Sequence, residues 1–246
     1  MLLSTTRTVA LVVLIGMTLA AQQRDSPTFE VASVRLNTSG ESGGSIDRQG
    51  NQIVIRNRPL RDIILNAYRL QRYQLVGGFD WINTTRFDVI AKEPEGVPGN
   101  PRMMQALLVD RFKLRVHNET RQMPIYALVQ GTDKRLSPQL QVAPPDSKRG
   151  GNAVPGRIRF RAYSTADLAG NLSNWAGRLV VDRTGLMDRY DGDLSWTPDD
   201  APPGVADPNA PSLFTAVEEQ LGLKLQSATG PVEVLVIDSV ERPTPD

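Results

Sequence analysis

Cysteine is absent from the 246 residues, and His117 is the single histidine. The first absence removes both a disulfide framework and any thiolate metal site. The second excludes a histidine-based metal cluster and leaves any serine triad or imidazole base resting on one residue. An excess of one charge is also lacking, since 28 Lys and Arg face 27 Asp and Glu. Removing residues 1–21 takes away Arg7 and no acid, so the remainder is neutral. Such a balance predicts neither a nucleic-acid partner nor an anionic membrane partner.

A long apolar run is missing too. The run from Val9 is weakened at Gly16 and ends in the small residues Thr18, Ala20 and Ala21. It falls short of the roughly 18–20 residues that a membrane span needs. With Arg7 ahead of it, this segment predicts a signal peptide over residues 1–21, cleaved near Gln22 or Gln23, rather than a retained anchor. No cysteine follows the run, which excludes lipid attachment there. The expected location is secreted or periplasmic. At 40% hydrophobic and 22% charged residues the bulk is globular, and long enough to bury a core without disulfide staples.

Three stretches read as breaks. Asn37 to Gly50 lacks apolar periodicity and reads as a loop, Ser137 to Gly156 reads as a Pro/Gly-rich linker, and Thr197 to Pro211 holds five prolines. In the first half (22–136), strands are expected at Gln52 to Ile55, Tyr73 to Val76 and Phe87 to Lys92. A helix fits Leu60 to Leu70, and a second opens at Asn100-Pro101 and buries Met103, Met104, Leu107 and Leu108. Lys113 to His117 and Ile125 to Val129 would close the half as a hairpin.

The second half (157–246) repeats that order. Arg157 to Arg161 is a strand, Ser164 with Asp167 makes a capping box, and Leu168, Leu172, Trp175 and Ala176 form the helix stripe before Gly177. Leu179 to Val181 and Tyr190 to Trp196 are strands, and Ser212 caps a helix that ends at Gly222. Leu223 to Gln226 and Val232 to Val240 form the last hairpin, with Val232 to Ile237 central in its sheet. Phe29 to Leu36 is an extra leading strand. The fold expected is α+β, with two similar β-α-β-β-α-β-β halves, an internal pseudo-duplication, and helices packed on mixed or antiparallel sheet.

The phrases Phe29-Glu30-Val31-Ala32-Ser33-Val34, Phe87-Asp88-Val89-Ile90-Ala91-Lys92 and Leu108-Val109-Asp110-Arg111-Phe112-Lys113-Leu114 resemble a known group. It is the family of uncharacterised exported proteins multiplied as paralogues in soil acidobacteria. His117-Asn118-Glu119-Thr120, Val181-Asp182-Arg183-Thr184-Gly185-Leu186, Trp196-Thr197-Pro198-Asp199, Phe214 to Leu225 and Val234 to Asp238 fit it as well. The resemblance covers nearly the whole chain after the signal and implies no activity. Fusion of some relatives to membrane sensor-type peptidase modules implies a signalling role. Asp188 departs from the family, which usually has glycine ahead of the Tyr190-Asp191 pair. The element order is also similar, in pattern alone, to the N-terminal signalling modules of secretins and TonB-dependent receptors.

Each chemically suggestive residue has a plainer reading. His117 alternates with Lys113 and Arg115 on one strand face, and no G-x-S-x-G elbow accompanies it. Asp182-Arg183-Thr184-Gly185 resembles the phosphorylated Asp-Lys-Thr-Gly of ATPases and the Asp-Thr-Gly of aspartic proteases. It lacks the nucleotide motifs of the first and the second copy of the other, and reads as a tight turn in which Asp182 bonds local backbone and Gly185 takes a positive φ. Asp188, Asp191 and Asp193 lack the further ligands of a calcium loop. Asp191 and Asp193 read instead as the wet face of a strand, opposite a basic row of Arg157, Arg159 and Arg161. The glycines from Gly40 to Gly50 spell no phosphate loop. Trp175 and Trp196 read as core, and Trp81, after Gly77-Gly78, is the one candidate binding aromatic.

No metal or other cofactor is expected, and no catalytic residue is assigned. The leading expectation is a non-enzymatic binding module of the cell envelope, presenting sheet edges or the Gly78–Thr85 loop to an envelope protein or cell-wall partner. The alternatives are a hydrolase using acids such as Asp182 and Asp191, or a sensor partner of a membrane peptidase.

Overall fold

The computed structural model describes residues 27–96, 99–133, 135–198 and 210–243. The expected signal peptide lies outside these residues, as do positions 199–209 of the proline-rich excursion. The first part of the chain runs β1 (Val31–Leu36), β2 (Ser45–Gln49), β3 (Gln52–Pro59), α1 (Leu60–Tyr68), β4 (Leu75–Gly77), α2 (Trp81–Thr84), β5 (Arg86–Lys92), α3 (Pro101–Phe112) and β6 (Arg115–Gln130). The second runs β7 (Gln141–Val142), β8 (Gly150–Val154), β9 (Arg157–Tyr163), α4 (Thr165–Ser173), β10 (Val180–Asp182), β11 (Tyr190–Ser195), α5 (Leu213–Leu221) and β12 (Leu223–Ser239). The class is α+β.

Capping sets the helix limits. Asn100 accepts from the Arg102 N–H at 2.9 Å, with Pro101 at the first helical position of α3. Ser164 and Asp167 close the capping box of α4, each side chain accepting from the other's backbone. Ser212 accepts from the Thr215 N–H to start α5. Gly222 ends that helix at φ 69°, and a Cβ there would lie 2.3 Å from the Arg135 carbonyl oxygen. Helix α4 stops at Ser173, so Trp175 and Ala176 pack from the turn that follows rather than from the helix.

The strands make three sheets, ordered β1-β5-β3-β2, β10-β6-β12-β4 and β7-β11-β9-β8. The first and third share one succession of positions. β2 falls within the Asn37–Gly50 stretch read as a loop, and β7 and β8 fall within the Ser137–Gly156 stretch read as a linker. All three are polar or glycine-rich, short and at sheet edges, where no apolar alternation is required.

The two expected hairpins do not form. Each is a single long strand, and β6 and β12 pair with each other from Leu223↔Gln130 to Ser239↔Arg115. The turn-like residues, Pro124 opposite Thr229 and Gly230-Pro231 opposite Met123 and Gln122, lie in mid-ribbon. There β10 and β4 have not yet joined, since they pair in parallel only at 126–128 and 235–237. A proline there deprives no third strand of a donor. The Val232 to Ile237 run is central, between β6 and β4.

The ribbon serves two cores. Leu235, Ile237 and Val240 join α1, α3 and the inner face of β1-β5-β3, where Phe87 meets Phe112 edge-on at 5.1 Å. Leu223 and Leu225 join α4, α5 and the inner face of β9 and β11. Ile125, Val232 and Val234 form a smaller cluster between them.

Candidate functional site

Asp182 ends β10 and is bound on both oxygens. One accepts from the Thr165 hydroxyl at 2.6 Å; the other accepts from the Thr184 N–H at 2.9 Å and the Thr184 hydroxyl at 2.8 Å. Gly185 has φ 69°, as the tight-turn reading requires. The carboxylate thereby fastens the end of β10 to the first turn of α4.

Asp191 and Asp88 perform one task in the two outer sheets. Strand β9 bulges at Ala162 and β3 at Asn57, both at φ 51°. That left-handed conformation costs a non-glycine residue roughly 1–2 kcal/mol, and it turns an N–H out of the ladder. Asp191 accepts the Ala162 N–H at 2.7 Å, and Asp88 accepts the Asn57 N–H at 2.8 Å. Asn37 adds two bonds to Asp88, at 3.0 and 2.9 Å. The Asn57 amide in turn donates to the Glu41 and Gly43 carbonyls, drawing that loop over the sheet.

Asp193 stands opposite Arg159 and accepts from Arg157 through two nitrogens (2.8 and 2.5 Å) and from Arg159 Nε at 3.1 Å. The Arg157 guanidinium is the main cause that holds the Asp193 carboxyl below the usual carboxylate range. The row expected to face Arg157, Arg159 and Arg161 therefore shrinks to one acid, because Asp191 is spent on the bulge. Asp188 lies in the turn before β11. The three aspartates do not converge, and among the described residues no group of three His, Asp or Glu is arranged to hold a metal ion.

His117 lies on the exposed side of the ribbon, with Nδ1 2.8 Å from Asp238 and Nε2 3.8 Å from Glu119. Glu119 is tied to Arg121 at 2.8 Å. Trp81 opens α2 and is half-buried, its ring edge-on to Phe87 at 6.5 Å and covered by the Arg242 guanidinium at 5.2 Å. The Gly78–Thr85 stretch read as a loop contains α2, and the aromatic it offers to solvent is Phe79, 60% exposed. Trp196 is buried and Trp175 packs against it with ring centroids 5.8 Å apart.

Two shallow grooves lie on the outer faces of the outer sheets. The larger, about 580 Å³, crosses β1, β5 and β3, with Val54 and Ile90 in its floor and Arg35, Arg56 and Lys92 around it. The other, about 500 Å³, lies over β8, β9 and β11 and is lined by Gly150, Gly151 and Gly192 with Arg159, Arg161 and Asp193. It runs out to the edge strand β8, Gly-Gly-Asn-Ala-Val, which among the described residues pairs with β9 alone.

A family model described as a protein of unknown function, DUF3738, matches residues 61–240. The chain belongs to that family. No curated protein and no solved structure matches the chain. Nothing in the DUF3738 description assigns a ligand or a reaction, so the geometry alone must indicate which surface is used.

Sequence reasoning passed over Asn57, Ala162 and β8. No local signal marks the first two, because each bulge shows only in the backbone of β3 or β9 while its acceptor sits on the neighbouring strand. Nor does one mark β8, whose residues look like loop.

Proposed function

We propose that this DUF3738 chain is an exported, non-enzymatic binding module of the cell envelope, and that its recognition element is the outer edge of β8. One observation carries the reading. Edge strands expose a row of unpaired N–H and C=O groups, and proteins ordinarily blunt them with charge, proline or a covering segment. β2 holds the equivalent position in its sheet and carries Asp47 and Arg48. The edge of β1 is crossed by Arg111, which donates to the Ala32 carbonyl at 3.3 Å. β8 has no charge and no proline, and among the described residues nothing pairs with its outer side. An extended segment of a partner can add there as a further strand, with affinity drawn from main-chain hydrogen bonds.

The hydrolase reading needs carboxylates free to face a substrate, whereas Asp182 and Asp191 are engaged in holding backbone. The test is site-specific photocrosslinking. A photoreactive residue replaces Asn152 on β8 or, as the control, Gln49 on β2, and each protein is irradiated in envelope extract. Expected is a discrete adduct from position 152 alone, mapping to an extended segment of one partner. Equal labelling from both edges, or none from position 152, would falsify the assignment.

A further inference from the structure

Cross-strand pairs share a face, so Gly150, Asn152 and Val154 of β8 lie beside Arg161, Arg159 and Arg157 of β9. Alternate residues of a strand are about 6.7 Å apart, and neighbouring strands about 4.8 Å apart. The three guanidinium groups therefore form a ladder one strand in from the free edge. Whether they reach that edge depends on what β8 places in their way. Gly150 places nothing, and Arg161 Nη2 lies 3.5 Å from where a Cβ on Gly150 would be. Arg161 thus already extends across β8.

The charges on this face do not cancel. Asp193 is shared between Arg157 and Arg159, and Asp191 is turned to the Ala162 N–H. Among the described residues Arg159 is bound through Nε alone, and Arg161 Nε donates to the Lys148 carbonyl at 3.3 Å. Both residues are exposed, Arg159 to 66%.

Resting on the edge reading above, we infer that the segment received by β8 is acidic, an extended peptide with carboxylates at alternate positions on the face shared with Arg159 and Arg161. Its backbone would pair with β8 and its carboxylates would meet the two guanidiniums, a charge-assisted contact that a strand of the opposite charge would lose.

The full chain lacking residues 1–21 is titrated against fluorescent peptides that alternate Val with Glu, Gln or Lys, followed by anisotropy. The Glu peptide is expected to bind at least about tenfold more tightly than the Gln peptide at low salt, and to weaken as salt rises toward about 0.3 M. Arg159→Gln with Arg161→Gln should abolish that preference, with thermal melting checking that the variant is folded. A pair of Glu peptides N-methylated on one or the other set of alternate residues isolates the backbone term, because one set faces β8 and its methylation alone should block binding.

Equal affinity of Glu and Gln peptides, with one methylation register still blocking, overturns the acidic preference and leaves the edge reading standing. Glu-peptide binding that ignores both methylation registers overturns the edge reading and this inference together. Binding by none of the three peptides overturns both as well.

Discussion

Asp182 is the acid whose replacement separates structure from chemistry most sharply. Its carboxylate accepts three hydrogen bonds between 2.6 and 2.9 Å, from donors on Thr165 and Thr184, which are 2% and 5% exposed. A bond to a charged group contributes about 1.5–3 kcal/mol, but three on one carboxylate do not add fully. In Asp182→Ala the two hydroxyls, 3.1 Å apart, can pair with each other, and the Thr184 N–H is left without its acceptor. A loss of about 2–4 kcal/mol follows. Asp182→Asn keeps one acceptor oxygen for Thr184 and should lose about 1–2 kcal/mol.

At about 2–4 °C per kcal/mol for a chain of this size, the alanine variant should melt about 4–16 °C lower. Urea unfolding followed by circular dichroism, with the slope unchanged, measures both variants. Arg183→Ala supplies the control, since Arg183 is exposed and it is its backbone N–H that bonds Leu128. It should stay within about 0.5 kcal/mol of the parent. The sign of the effect carries the argument. An acid retained for chemistry is commonly neutral or stabilising to remove, so an Asp182→Ala protein as stable as the parent would refute the structural role and restore Asp182 as a candidate acid.

The remaining expectations concern packing and an ion pair with one buried partner. Trp81→Ala should cost about 2–4 kcal/mol in the same unfolding assay, because the ring packs on Phe87 beneath Arg242; a change below about 0.5 kcal/mol would return Trp81 to the list of surface binding residues. Glu93 is 2% exposed and held by both Arg48 nitrogens at 2.5 and 3.0 Å. Arg48→Ala, which strands that carboxylate, should cost about 2–4 kcal/mol. Glu93→Gln should cost about 1 kcal/mol, since the half-exposed Arg48 can hydrate. Equal losses from the two would show that water reaches Glu93.

Helix positions and the α+β class were legible because they depend on local signals. Asn100-Pro101, the Ser164–Asp167 box and Ser212 act within one turn of their own position, and the inward alternation of Phe87, Val89 and Ala91 needs no knowledge of the partner strand. The ribbon was not legible. Pro124 and Gly230-Pro231 carry the local chemistry of turns, and they stay extended because each finds a partner more than a hundred residues away in sequence. Asp88 and Asp191 failed in another way. Each reads in sequence as the wet face of its strand, and only the positive φ at Asn57 and Ala162, a property of other strands, reveals that each is a backbone acceptor.

The same reasoning explains why the proposed binding edge leaves so faint a trace. A catalytic centre must assemble particular side chains, and their types can be searched for along the chain. A strand that receives another strand works through N–H and C=O groups that every residue but proline carries. What sets β8 apart from the matching edge β2 is the omission of charge, over a strand longer than the two- and three-residue edges β7 and β4. Gly-Gly-Asn-Ala-Val is such an omission, and in a sequence it cannot be told from a loop. It acquires meaning only beside its counterpart, when Asp47 and Arg48 occupy the matching edge of the other sheet and β8 has neither. The arginines of β9 narrow the partner further, for a ladder of three guanidiniums with a single opposing carboxylate disfavours a basic strand at that edge and favours an acidic one. On the proposed reading recognition rests on one face of one strand pair, and the neutral composition of the whole chain is no guide to it.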